Sequence, residues 1–228
     1  MKIPMMKVEM KINSKKETQA DLDIFDDIGE WTDFWTGEKS GIGANQIAAF
    51  LKEHDNIDTI NVRIDSYGGD VFEGIAILNL LKGSGKTINV EIVGIAASIA
   101  SVIATAGHVT MYPTSMMMVH HCYTYGHGNA KEFRQLAEQL DKIMQASRIA
   151  YREKAGDKLS DEKLEEILDA ETYLTAEECK ELGFCDEIVG KEDNPDPDPE
   201  EDPKPEEKLK PKEKIDIKPR AKTPWFFY

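Results

Sequence analysis

Alternating strand-like and helix-like segments put this chain in the layered α/β class. Thr59 to Asp65 (TINVRID) alternates apolar and polar residues with the period of a half-buried strand. Val71, Ile75, Leu78 and Leu81 then recur at helical spacing, and Lys86 to Val93 returns to a strand pattern. A long amphipathic helix is predicted from Asn129 to Tyr151, where Phe133, Leu136, Leu140, Ile143, Ser147 and Ala150 keep a three-to-four spacing.

The remaining elements follow from local signals. Tyr67-Gly68-Gly69 turns the chain from the first of these strands into the helix after it. Ala96 to Ala106 is rich in small residues and compatible with a helix. Val109 to Tyr112 and Met116 to His120 flank Pro113-Thr114-Ser115, which reads as a hairpin-like turn. Asn129 is the expected N-cap of the long helix. Two shorter helices are expected after Ser160 and after Thr175. Thr175-Ala176-Glu177-Glu178 fits a capping box, whereas Ser160-Asp161-Glu162-Lys163 lacks the acid at its fourth place.

Composition sets the outer bounds. With 40% hydrophobic and 31% charged residues, the 228-residue chain has a globular profile and length for one domain plus an appendage. A formal charge of −15 argues against a nucleic-acid or anionic-membrane partner, since those surfaces attract basic patches. The longest apolar segment, Ile88 to Gly107, is interrupted by Asn89, Glu91, Ser98, Ser101 and Thr105, so it reads as core and not as a membrane span. The start carries no apolar run of signal-peptide length. Cys122, Cys179 and Cys185 are too few and scattered for a disulfide framework or a zinc pattern, and they read as reduced thiols in a cytoplasmic protein.

The domain boundary falls near residue 190. Eight of the ten prolines lie after it, among eleven acidic and nine basic residues, a composition that cannot bury enough apolar surface to offset ordering. Residues 1–190 are therefore read as the folded domain and 191–228 as an acidic, proline-rich, disordered tail ending in Trp225, Phe226, Phe227 and Tyr228.

Four features carry candidate chemistry. Ser98 lies in Gly94-Ile95-Ala96-Ala97-Ser98-Ile99-Ala100-Ser101, where an apolar strand passes into a helix. Backbone N–H groups there, that of Ile99 among them, suit a developing oxyanion, although a serine at such a point also reads as a simple cap. The segment is not the Gly-x-Ser-x-Gly elbow of the α/β-hydrolases. His120 ends an apolar strand, a good station for a general base. Its neighbour His121 points to the opposite face, so the pair converges poorly on a metal ion. Gly68 and Gly69 let the main chain approach a ligand closely and offer further oxyanion donors, or serve only as a tight turn. A third group to orient the histidine is open among Asp169, Glu171 and, less favoured, Asp157. No feature calls for a cofactor or a metal.

Taken in order, these segments resemble the Clp protease proteolytic subunit (ClpP) over Ile60 to Ile188. Asp65-Ser66-Tyr67-Gly68-Gly69 is similar to the family's Asn-Ser-Pro-Gly-Gly turn. Gly94-Ile95-Ala96-Ala97-Ser98 is similar to its nucleophile segment, Thr105-Ala106-Gly107 to the Thr-Ala-Gly that follows, and Met118-Val119-His120 to the stretch bearing the base. Glu171-Thr172-Tyr173-Leu174-Thr175-Ala176-Glu177-Glu178 is similar to the stretch that opens with the family's catalytic aspartate. That aspartate falls on Glu171, with Asp169 the alternative, and the usual proline is Tyr67.

The resemblance implies a ClpP/crotonase-like ββα spiral with a long protruding handle helix. It also implies a serine endopeptidase with Ser98 as nucleophile, His120 as base and Glu171 as orienting acid, and subunits assembled into homo-oligomeric rings. Asp21 to Trp35 and Gly43 to Ile47 look more like the phage and prophage branch, in which a head-maturation protease trims capsid and scaffold proteins. The rival readings are a degradative subunit served by an AAA+ unfoldase, a crotonase-type acyl-CoA enzyme, and an inactive assembly protein.

Overall fold

The computed structural model describes residues 18–32, 34–37 and 39–191. The expectations for the start of the chain and for the tail after Lys191 lie outside the described residues. In chain order the elements are β1 (Gln19–Ile24), the short pair β2 (Trp31–Thr32) and β3 (Lys39–Ser40), α1 (Ala44–Glu53), β4 (Thr59–Ser66), α2 (Val71–Gly83) and β5 (Thr87–Ala97). Then follow α3 (Ile99–Ala104), β6 (His108–Met111), β7 (Met116–Val119), α4 (Ala130–Ala155), a 3-10 turn (Gly156–Lys158), α5 (Asp161–Asp169), β8 (Thr172–Thr175), α6 (Ala176–Glu181) and β9 (Glu187–Ile188).

Seven strands make one sheet. β1, β4, β5, β6 and β9 lie side by side in that order and run parallel. β5 serves two neighbours. Asn89 to Ile92 pairs with β6, and Ile95 to Ala97 pairs with β7, so the strand changes partner around Val93 and Gly94. β8 then adds antiparallel to β7.

This arrangement corrects the hairpin expected around Pro113-Thr114-Ser115. β6 and β7 do not pair with each other; both lie parallel to β5, one beyond the other along its length. Pro113-Thr114-Ser115 do form a tight turn, with Ser115 N–H bonded to Tyr112 O at 3.0 Å, but the chain leaves it in the direction in which it entered. The switch in β5 then gives the second strand a parallel partner, and tertiary pairing overrides the local hairpin signal.

One face of the sheet is the core. β1 and β4 alternate half-buried and buried residues, which sends Ala20, Leu22 and Ile24 beside Ile60, Val62 and Ile64. α1, which the sequence reading left without an element, contributes Ile47 and Phe50.

Helix ends follow capping chemistry. Asp70 caps α2 by accepting from Phe72 and Glu73 N–H at 2.9 Å. Asn129 and Glu132 form a complete capping box on α4, as do Thr175 and Glu178 on α6. Ser160 caps α5 alone. α4 runs four residues past Tyr151, because Arg152 to Ala155 are good helix formers and the first breaker is Gly156, at φ +59°. Its second half is anchored by Met144, Ala150, Tyr151 and Ala155. In the first half Phe133 is exposed and Leu136 and Leu140 are half-buried, so this long helix stands out from the body.

Candidate active site

The end of β5, the end of β7 and the start of β8 meet at one place. Ser98 follows the last residue of β5, and its N–H bonds Met118 O on β7 at 2.9 Å. Pairing of β5 with β7 thereby brings Ser98 beside His120, one residue beyond the end of β7. The two side chains touch: His120 Nε2 lies 2.7 Å from Ser98 Oγ. His121 turns the other way and pairs with Asp169 Oδ1 at 3.0 Å, as neighbouring residues of an extended chain must.

Strand register bears on the third candidate. β7 and β8 pair Met116 with Thr175 through Val119 with Thr172, so His120 and Glu171 each lie one residue beyond the same end of the ladder. Glu171 is exposed and makes no hydrogen bond to His120, yet its carboxylate is the charge that raises the His120 pKa. Burial is the larger influence, and with the nearby His121 it holds His120 below the ordinary histidine value. Asp169, engaged by His121, is not among the charges acting on the ring, and Asp157 is exposed in the 3-10 turn.

Backbone strain singles out the same place. Among the described residues, the non-glycine positions with positive φ are Ser98 (+54°) and Glu171 (+48°). Glu171 takes the left-handed conformation just after α5, where its N–H closes on Leu168 O at 3.2 Å, a position usually given to glycine. Ser98 lies at ψ −128°, in territory that side-chain-bearing residues seldom occupy. A missing glycine at the end of α5 is the one sequence signal that pointed toward the strain at Glu171.

The glycine pair lies against the serine. A Cβ added to Gly68, at φ +101°, would stand 2.8 Å from Ser98 Cβ and 3.2 Å from Ile99 N. Gly68 N–H is already engaged by Ser66 Oγ at 3.2 Å. Among the described residues Gly69 N–H has no such partner, and Ile99 N–H, first in α3, has no intrahelical acceptor. The loop is clamped by Ile28, whose N–H bonds Gly68 O at 2.8 Å and whose carbonyl accepts from Asp70 N–H at 2.7 Å. Sequence reasoning missed Ile28, since only long-range pairing brings it there.

Beside Ser98 lies a hollow lined by Val71, Val102, Cys122, Met144, Ser147 and Tyr151. Burial pushes the Cys122 thiol up, so the cysteine nearest the serine stays protonated and is no rival nucleophile. On the far side of His121, its Nε2, Glu165 and Asp169 offer donor atoms within 4.8 Å of one another. Ion pairing already uses them: Arg148 holds both Glu165 oxygens at 2.8–2.9 Å, and His121 holds Asp169. No described helix is long and apolar enough to cross a membrane.

Comparison with known proteins bears on the fold and the family. The structure is similar to that of a ClpP1 mutant from Listeria monocytogenes, with a TM-score of 0.61 and 22% sequence identity, covering 76% of this chain and 92% of that one. At that identity the likeness concerns the fold, the α/β spiral with its long helix. The profile of the Clp protease family matches residues 36–192, more than half of the chain and every residue of the site but Ile28. The chain belongs to the Clp protease family, and it is a Clp-type peptidase.

Proposed function

We propose that the protein is a serine endopeptidase in which Ser98 attacks the peptide carbonyl, His120 takes its proton and Glu171 steadies the imidazolium. The observation that carries this reading is the 2.7 Å contact between His120 Nε2 and Ser98 Oγ, made by groups that come 22 positions apart. With its second ring nitrogen protonated, His120 accepts the Ser98 hydroxyl proton at Nε2 as Oγ bonds to the carbonyl carbon. The oxyanion is received by Gly69 and Ile99 N–H. Gly68, whose N–H is spent on Ser66, serves by lacking a side chain. His120 then delivers its proton to the departing amine, and water repeats the sequence on the acyl-enzyme.

The physiological substrates proposed are capsid and scaffold proteins of a phage head, cut during maturation by subunits assembled into cytoplasmic homo-oligomeric rings. This is supported by the resemblance of Asp21 to Trp35 and Gly43 to Ile47 to that branch of the family. The half-covered stripe of Phe133, Leu136 and Leu140 on α4 supports assembly, since such a stripe wants a partner.

Incubation with a fluorophosphonate probe tests the chemistry. Labelling at Ser98, and its loss in Ser98→Ala with peptide hydrolysis, is the expected result. An unlabelled, fully folded protein would instead favour a crotonase-type or an assembly role. Co-expression with capsid protein, with and without an AAA+ unfoldase, separates maturation from degradation: cleavage at defined sites without the unfoldase supports maturation.

A further inference from the structure

A buried relay runs from the long helix to the nucleophile's own peptide group. Tyr151, on α4, is 1% exposed, and its hydroxyl lies 2.7 Å from Ser101 Oγ. Ser101, itself 0% exposed, donates its single hydroxyl proton to Ser98 O at 2.5 Å, and its N–H donates to the same oxygen at 3.0 Å. Since the Ser101 proton is committed there, Tyr151 must be the donor to Ser101. Burial raises the phenol's pKa well above its ordinary value, which keeps that donor protonated.

The carbonyl at the end of this relay is not an arbitrary one. Ser98 C=O and Ile99 N–H belong to one planar trans peptide, so they point in opposite directions and turn together. Two donors on the oxygen fix that plane in spite of the strained φ and ψ at Ser98. They also draw electron density toward the oxygen, which makes the opposite N–H a stronger donor. Within a dry interior such chained bonds gain from low dielectric, and α4 supplies the outermost link.

We infer that Tyr151, acting through Ser101, is a positioning residue that aims and polarises the Ile99 N–H at the oxyanion. The inference rests on the reading of Ser98 as nucleophile and of Ile99 as oxyanion donor. It gives one long helix a direct hand in the transition state, through atoms that never meet the substrate's reacting carbonyl.

The test compares Tyr151→Phe, Ser101→Ala and the double variant with the unmodified protein, by peptide hydrolysis, fluorophosphonate labelling of Ser98 and thermal unfolding. An interaction felt only in the transition state predicts kcat lower by about 3- to 10-fold in Tyr151→Phe with KM unchanged, the loss expected for one neutral hydrogen bond. Ser98 labelling slows in step, and the double variant loses little more than Ser101→Ala, because the two hydroxyls act in series. Unchanged kcat and labelling in both single variants would overturn the relay. So would a fall in melting temperature or assembly with full turnover per folded, titrated site, since that is what a packing role alone produces. If Ser98 in the unmodified protein takes no label, the nucleophile reading fails first and the relay with it, a result distinct from either of the others.

Discussion

Glu171 lies one residue before the Thr172 that pairs with Val119, on the His120 side of the ladder, and acts on His120 through its charge, while Asp169, two residues earlier, is held by His121 at 3.0 Å. The two acids therefore have separate partners. Glu171→Gln is expected to lower kcat by about 10- to 10³-fold, short of the roughly 10⁴-fold that loss of a buried, hydrogen-bonded triad aspartate costs in other proteases. Asp169→Asn is expected to change kcat little. Steady-state kinetics of the two variants decide it, and the reverse ranking would move the orienting role to Asp169.

His120 is held below the ordinary histidine value of 6.5 chiefly by burial, so its neutral, proton-accepting form persists to lower pH than for a free histidine. The acid limb of kcat/KM is expected below pH 6.5. Glu171 opposes the shift, and Glu171→Gln should move the limb further toward acid. The stability sign follows: the unfolded chain binds this proton more readily, so stability falls as pH drops below 6.5 and the penalty is complete once pH is under the folded value. A pH series of kcat/KM on both proteins checks the limb, and a limb above 6.5 contradicts it.

Strain at Ser98 separates two inactive variants. Glycine accepts φ +54° and ψ −128° without penalty, whereas alanine does not. Ser98→Gly is expected to be more stable than Ser98→Ala by about 1–3 kcal/mol, the range for a residue held in such a region. Both should be inactive. Denaturant unfolding measures the difference, and equal midpoints would mean the backbone relaxes in the variants.

Gly68→Ala brings a methyl to 2.8 Å from Ser98 Cβ at a backbone angle alanine resists. The expected result is destabilisation by more than about 1 kcal/mol together with loss of Ser98 labelling. Gly83→Ala, where an added Cβ meets nothing within 4 Å, is the control and should label normally.

Much of this was legible in the sequence where chemistry is local. The caps at Asn129 and Thr175, the helix of α4 and the candidacy of Ser98 and His120 all rest on short motifs. What lay hidden depends on long-range pairing. The false hairpin at Pro113 arose because two short strands carry no record of the shared neighbour β5. Ser66 distinguishes the two glycines in a way spacing does not: its hydroxyl oxygen accepts from Gly68 N–H, and side-chain direction within a turn is not written in the sequence pattern. Tyr151 and Ser101 meet across 50 positions, a contact that amphipathic periodicity registers only as a buried aromatic.

The order in which the chain supplies its parts bears on when the protein can act. β5 and β7 bring Ser98 and His120 together, but the Glu171 carboxylate arrives only with β8, the penultimate of the described strands. During synthesis from N- to C-terminus, domains gain structure as segments emerge. A nascent or prematurely released chain ending before residue 171 thus carries its serine and histidine without the acid, and without β8 to cover β7. With Glu171 in the proposed orienting role, full turnover requires a chain that extends past β8.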